Sequence, residues 1–132
     1  MNLKYFADHE LADADTGEVR LQEGFGERID LLREKLGFPI IVNTAMHMNR
    51  ACRSPAQNTL IGGHWRSLHM SGNPAHGIDT CAIDVEATDR AYRGRLFMVA
   101  WSLGFSIGWG RGFLHIDDRT RVIGLKQTTF DY

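Results

Sequence analysis

From Glu18 onward, Leu21, Phe25, Ile29, Leu32 and Leu36 recur at spacings of 4, 4, 3 and 4, which places them on one face of a helix. Gly37 follows as its C-terminal cap, while Gly24 and Gly26 weaken its start. Tyr92, Leu96, Val99 and Leu103 form a second apolar face and predict a long helix capped by Thr88 and ended by Gly104. Ser54-Pro55 supplies an N-cap and a first-turn proline for a short helix through Ile61, stopped by Gly62-Gly63.

Elsewhere the period shortens. Pro39-Ile40-Ile41-Val42 is β-branched and bounded by Pro and Asn, so it predicts a buried strand. Cys81 to Val85 predicts another, and Phe105 to Trp109, Phe113 to Asp117 and Arg121 to Leu125 predict consecutive hairpin strands, the first two joined by Gly110-Arg111-Gly112. Asn2 to Gly17 is a packed arm in which Tyr5, Phe6 and Leu11 join the core and Asp15-Thr16-Gly17 turns the chain. The aperiodic segment His64 to Thr80 is a loop, and loops of that length in compact domains are often functional. Helices alternating with strands and then a run of hairpin strands predict one α+β domain over residues 1–132, its helices packed on a mostly antiparallel sheet.

Charge narrows the function. Fifteen basic and sixteen acidic residues are spread along the chain for a net charge of -1, so the field that drives phosphate binding is missing and nucleic acid is not an expected partner. Apolar runs such as Leu96 to Leu103 fall short of the roughly 20 residues that cross a bilayer, and the N-terminus carries no signal-peptide pattern, so cytosolic synthesis is expected, with no membrane partner. Cys52 and Cys81 form neither a disulfide framework nor a metal clip; they read as small, buried, reduced side chains, with a single bridge after export as the alternative.

The candidate chemistry lies in six histidines and a few misplaced acids. A hydrolytic metal centre needs three protein ligands and one open position, and two His with one carboxylate satisfy that need. Asp84 stands inside the apolar run CAIDV, where burial of an unpaired acid costs on the order of several kcal/mol unless a cation is near. His115 is likewise flanked by Phe113, Leu114 and Ile116, and His69 follows Ser67 after the glycine pair. Taken singly, each has an ordinary reading: a satisfied strand histidine, a strand-end acid, a surface loop residue.

In order along the chain, CRSPAQNTLIGG, then SLH, CAIDV and FLHID resemble the zinc DD-peptidase family, which includes D-Ala-D-Ala carboxypeptidases and phage L-alanyl-D-glutamate endopeptidases and shares its fold with the hedgehog signalling domain. The resemblance covers residues 20 to 123 and implies a hedgehog/DD-peptidase-like fold. It also implies that His69, Asp84 and His115 bind Zn2+, that Arg53 binds or polarises a substrate carbonyl or carboxylate, and that Ser67 touches substrate. An Arg beside the reacting carbonyl suits that role, because it stabilises charge that develops in the transition state.

Two departures stand out. His69 and Asp84 are separated by fourteen residues, more than the family pattern leaves, so 70–80 contains an inserted loop; His76 is the competing first ligand, and His69 is preferred for its place in Ser-x-His after Gly-Gly. The acid that many members place three residues before the last His is here Gly112. Asp117 shares the face of His115 on a strand and is expected either as general base or as the group that holds the His115 ring, with Asp118 and Asp79 as weaker base candidates. Trp65 and Trp109 are candidates for a substrate groove, His9, His47 and His64 are solvated or loop residues, and Arg90, Arg93 and Arg95 form the wet face of their helix.

The resemblance thus implies a monomeric zinc peptidase acting on peptidoglycan stem peptides at the cell wall, similar to small phage-encoded endolysins, by metal-activated water. Its alternative is a zinc-containing wall-peptide-binding or structural domain that lost its base at Gly112.

Overall fold

In the arm that opens the chain, Phe6 and Leu11 turn inward, Leu11 closing a one-turn helix, α1 (Asp8–Leu11). The computed structural model describes residues 2–45 and 48–132, so the expectation for His47 lies outside the described residues. The next helix, α2 (Phe25–Leu36), begins later than its periodicity suggests, because Gly24 adopts a left-handed conformation (φ 83°) and Leu21 bridges Thr80 instead. Phe25, Ile29, Leu32 and Leu36 are its buried face, and Gly37 caps it in the left-handed region.

The strand expected over 39–42 contracts to one bridge between Val42 and Val85, after which β1 (Thr44–Ala45) and β2 (Met48–Asn49) pair antiparallel. Next, α3 (Pro55–Leu60) is capped as expected: the Ser54 hydroxyl accepts from the Gln57 amide and Pro55 starts the helix. The loop through residue 80 leads into β3 (Ala82–Glu86) and then α4 (Arg90–Ser102). Asp89, not Thr88, caps α4, its carboxylate accepting from the Tyr92 amide at 2.9 Å.

A hairpin of β4 (Ser106–Trp109) and β5 (Phe113–Asp117) follows. The expected strand at Arg121 to Leu125 is instead part of a short helix, α5 (Arg119–Ile123), stopped by left-handed Gly124. Two ion pairs hold this turn to the end of β5, Arg119 with Asp117 and Arg121 with Asp118, and such contacts outweigh a local β preference. A last strand absent from the expectations, β6 (Thr129–Asp131), pairs parallel with β4.

Among the described residues the elements are therefore five helices, a two-stranded ribbon and a four-stranded sheet ordered β3-β5-β4-β6. This is the α+β class with a mostly antiparallel sheet, mixed at its β6 edge. Strand alternation sends Ile83, Val85, Ile107, Leu114 and Ile116 into one apolar core with Ile29 and Leu32 of α2 and Leu96 and Ala100 of α4. The opposite face is left for polar chemistry.

Arg93 corrects the expected wet face of α4. Its guanidinium donates to the carbonyls of Ala87, Gly110 and Phe113 and lies over the Trp109 ring, tying α4 to the β4–β5 turn. Arg90 is exposed, and Arg95 donates to the Leu36 carbonyl at the end of α2. Cys52 and Cys81 are free and buried, as expected; burial raises both thiols, that of Cys81 to about 12. Among the described residues no helix is long and apolar enough to cross a membrane.

Candidate metal centre

Asp84 and His115 are cross-strand partners at the centre of the β3–β5 ladder, and with Asp117 they occupy the face opposite the core. The third residue, His69, comes from the loop after α3 and is held by its backbone. Its carbonyl accepts from the Arg53 amide at 3.0 Å and from the Thr80 hydroxyl at 2.7 Å, while the Leu68 carbonyl accepts from the Cys81 amide. The loop is thereby fastened to the start of β3, which delivers the imidazole beneath the strand bearing Asp84.

Both imidazoles have defined outer partners. His69 Nδ1 lies 3.0 Å from the Ala51 carbonyl oxygen, which can only accept, so Nδ1 carries a proton, and Nε2 faces Asp84 Oδ1, 3.1 Å away. His115 reverses the arrangement. Its Nε2 is 2.7 Å from Asp117 Oδ2, and its Nδ1 is 3.0 Å from the same Asp84 Oδ1. The two rings meet edge to face at 5.1 Å.

Asp84 Oδ2 is buried and makes no hydrogen bond among the described residues; the nearest cation is Arg50, whose Nε is 3.6 Å away. An orphaned carboxylate oxygen beside two converging imidazole nitrogens matches the donor set that a metal ion needs, and one such atom from each of the three residues lies within 4.8 Å of the others. His69, Asp84 and His115 could therefore hold a metal ion. His76, the competing first ligand, is not part of this group and lies on the wall of the adjoining cleft.

The protein's own charges already polarise this cluster. Burial opposes ionisation of Asp84, but the charge and hydrogen bonds of His69 and His115 prevail and hold its carboxyl far below the usual range. Burial disfavours the charged form of His69 and lowers its pKa. Burial also works against a charged His115, yet hydrogen bonds to Asp117 and Asp84 prevail and raise it to about 9, the behaviour of an imidazolium between two carboxylates. A metal cation would take the place of its Nδ1 proton.

Asp117 is fully engaged. Oδ2 faces His115 and accepts from Arg119 Nη2 at 2.6 Å, while Oδ1 accepts from the Arg119 amide and Nε. Burial pushes its pKa up, but Arg119 and His115 together lower it to about 2. The weaker base candidates are committed elsewhere, Asp118 to Arg28 and Arg121 and Asp79 to Arg20, and neither lines the cleft. Gly112 lies in the β4–β5 turn at φ 79°, a conformation that a side chain in its place would find strained.

Through His115 and Asp117 the cluster borders a cleft of about 590 Å³, while His69 and Asp84 are fully buried behind it. Arg53 and Ser67, both expected at the site, line it together with Arg50, Arg66 and Arg119. Arg53 is buried and donates from Nη1 to Asn58 Oδ1 at 3.0 Å. Gly63 makes that contact possible, because a Cβ there would sit 2.1 Å from the same Asn58 oxygen. Ser67 turns its hydroxyl to the His69 amide at 3.3 Å.

The expected aromatic wall is corrected. Trp65 is 64% exposed outside the cleft, and Trp109 stacks on Phe97 of α4 at 4.8 Å. Phe130 and Tyr132 form the wall instead, with Tyr132 stacked on His115 at 4.8 Å. Arg50, Arg119, Phe130 and Tyr132 escaped sequence reasoning. The alternation Thr129-Phe130-Asp131-Tyr132 was the available signal for the last two, whereas Arg50 and Arg119 carry no signal apart from the fold. His9 and His64 are exposed, as expected. No family model, curated protein or solved structure matches this chain.

Proposed function

We propose that this protein is a zinc-dependent peptidase of the hedgehog/DD-peptidase type that hydrolyses peptidoglycan stem peptides, at a D-Ala-D-Ala or L-Ala-D-Glu bond. The observation that carries the reading is the convergence of His69 Nε2, His115 Nδ1 and Asp84 on one point at the edge of a cationic cleft, each imidazole having its other nitrogen satisfied. Two nitrogens and one carboxylate suit zinc, which keeps a fourth position for water or substrate in catalytic sites. When bound there, zinc supplies a Lewis acid that makes water nucleophilic near neutral pH.

The residues have distinct tasks. Asp117 fixes the His115 tautomer, and Arg119 anchors Asp117, so this carboxylate is read as a positioning group more than as the base. Arg53, buried without a carboxylate in hydrogen-bonding contact among the described residues, is suited to a substrate carboxylate or to the oxyanion of the tetrahedral transition state. Ser67 and the aromatic faces of Phe130 and Tyr132 flank the bound peptide. The family, the substrate class and action at the cell wall rest on the sequence resemblance, since a fold does not select a peptide.

Mass-spectrometric analysis of purified peptidoglycan and its stem peptides incubated with the protein tests this reading. Cleavage that stops on chelation and returns with zinc is the expected outcome and names the bond. Stoichiometric zinc with no product from any wall peptide would overturn it in favour of a second reading, a zinc-containing domain that binds wall peptides without cutting them. The glycine at position 112, left-handed where many members of the resembled family carry an acid, is the observation favouring that second reading.

A further inference from the structure

Peptide hydrolysis moves two protons: one leaves the attacking water and one reaches the departing amine. A group that serves both steps needs an available lone pair and an exchangeable proton. Among the described residues of the cleft, most titratable side chains are already committed or unsuitable. Both oxygens of Asp117 accept two hydrogen bonds each, and both ring nitrogens of His115 face carboxylates. His64 spends its Nδ1 lone pair on the Arg66 amide at 3.1 Å. The four cleft arginines stay protonated. Burial, with the Asp84 charge nearby, raises the Tyr132 phenol above its ordinary value, so it holds its proton and is neither a ready acid nor a base.

One group remains. His76 is half-buried on the cleft wall, and among the described residues neither of its ring nitrogens makes a hydrogen bond. Its backbone is held firmly. Asn73, 1% exposed, accepts the amides of Ala75 and His76 on Oδ1 and donates from Nδ2 to the Ser67 carbonyl, two residues before His69. The turn is closed by Gly77 N–H to the Asn73 carbonyl and by the Asn73–Ile78 bridge. Asp79 pins its far end through Arg20 and the Gly72 amide. The segment 70–80 thus presents an uncommitted imidazole to the cleft on a scaffold tied to the metal-binding loop.

We propose that His76 is the general acid–base residue of this site, standing in for the acid lacking at Gly112. The inference rests on the peptidase reading above. His76 takes a proton from water as the water oxygen bonds to the scissile carbonyl carbon. It returns that proton to the amide nitrogen as the C–N bond breaks, releasing an amine and a carboxylic acid, which then gives its remaining proton to solvent, with His76 neutral again.

The test is steady-state cleavage of the stem peptide hydrolysed by the wild-type protein, alongside His76→Gln and His76→Ala, with zinc content measured in each preparation. The expected result is full zinc occupancy in all three, KM changed by no more than a few-fold, and kcat lowered about 10²–10⁴-fold in both variants, the usual contribution of a positioned acid–base group. Unchanged kcat with zinc retained would remove His76 from the chemistry and leave the peptidase reading intact. Loss of zinc in either variant would make His76 part of the metal centre and overturn the proposal. Absence of turnover in the zinc-loaded wild-type protein would overturn the peptidase reading and this inference together. Because the His76 ring has no partner to lose, both variants are expected to fold, which circular dichroism checks.

Discussion

Asp117 has two opposed descriptions, a base that takes protons during turnover and a carboxylate that keeps His115 in one tautomer. Its four accepted hydrogen bonds favour the second, and the two differ in what a substitution does to metal binding. Asp117→Asn leaves the ring orientation less defined and Arg119 without its charge partner, so metal affinity is expected to fall about 10–100-fold, as for other groups that orient a metal-binding histidine. Chelator competition measures this; unchanged affinity with activity abolished would restore the role of base. Asp13 offers a separate test, one of stability alone. Burial pushes its pKa up, but the amides of Ser54 and Thr16 and the Thr16 hydroxyl hold the ionised form more strongly, so the net shift is downward. A depressed carboxyl stabilises the fold above its unfolded pKa of about 3.9 and loses that contribution as pH falls through the folded value. Asp13→Asn should therefore cost about 1–2 kcal/mol at pH 7, with the gap closing in acid. Urea unfolding at pH 7 and pH 3 reports it, and a gap of equal size at both would refute the assignment.

Among the elements, β6 shapes the cleft. It lies beside β4 with Phe130 opposite Gly108, and a Cβ at Gly108 would come within 2.7 Å of Phe130 and 3.0 Å of Tyr132. Gly108→Ala should therefore displace the aromatic wall of the cleft. The expected result is roughly 1–3 kcal/mol of lost stability from overpacking, together with a raised KM at unaltered zinc content. Thermal melts and kinetics check both, and wild-type KM would show that the wall does not meet the peptide. β6 also marks where sequence reasoning ended. The helix faces of α2 and α4 were legible because 3.6-residue periodicity is written locally. The start of α2 was not, since Leu21 keeps the period but a left-handed Gly24 separates it from the helix. Arg121 to Leu125 reads as a strand by composition and partly coils as α5, because Arg119 and Arg121 are recruited by the two aspartates at the end of β5. β6 depends on a partner twenty-two residues earlier, Ile107 with Thr129, and no local pattern encodes that pairing. The same division holds at the site: His69, Asp84 and His115 stand in motifs, whereas Arg50, Arg119 and Tyr132 reach the cleft through tertiary packing.

The molecule as a whole separates stability from chemistry across its sheet. One face of β3, β4 and β5 buries Ile83, Val85, Ile107, Leu114 and Ile116 against α2 and α4, and the other carries Asp84, His115 and Asp117. The apolar core is complete without any group from the candidate metal centre, unlike a small zinc module whose folding free energy is its metal-binding free energy. Asp84 also keeps partial compensation from His69, His115 and Arg50. Chelation is therefore expected to leave a cooperatively folded protein with its far-ultraviolet circular dichroism retained. Its melting temperature should nevertheless fall, because free zinc at 100 times its dissociation constant contributes about 2.7 kcal/mol to the native state, or roughly 10 °C for a chain of this size. Restoring zinc should return the difference, and Asp84→Asn should abolish the response to zinc. Unfolding on chelation would mean that the metal holds the loop bearing His69 and, through it, the start of β3. A melting temperature indifferent to zinc in the wild-type protein would mean that the His69–Asp84–His115 cluster is a hydrogen-bonded polar network and no metal centre.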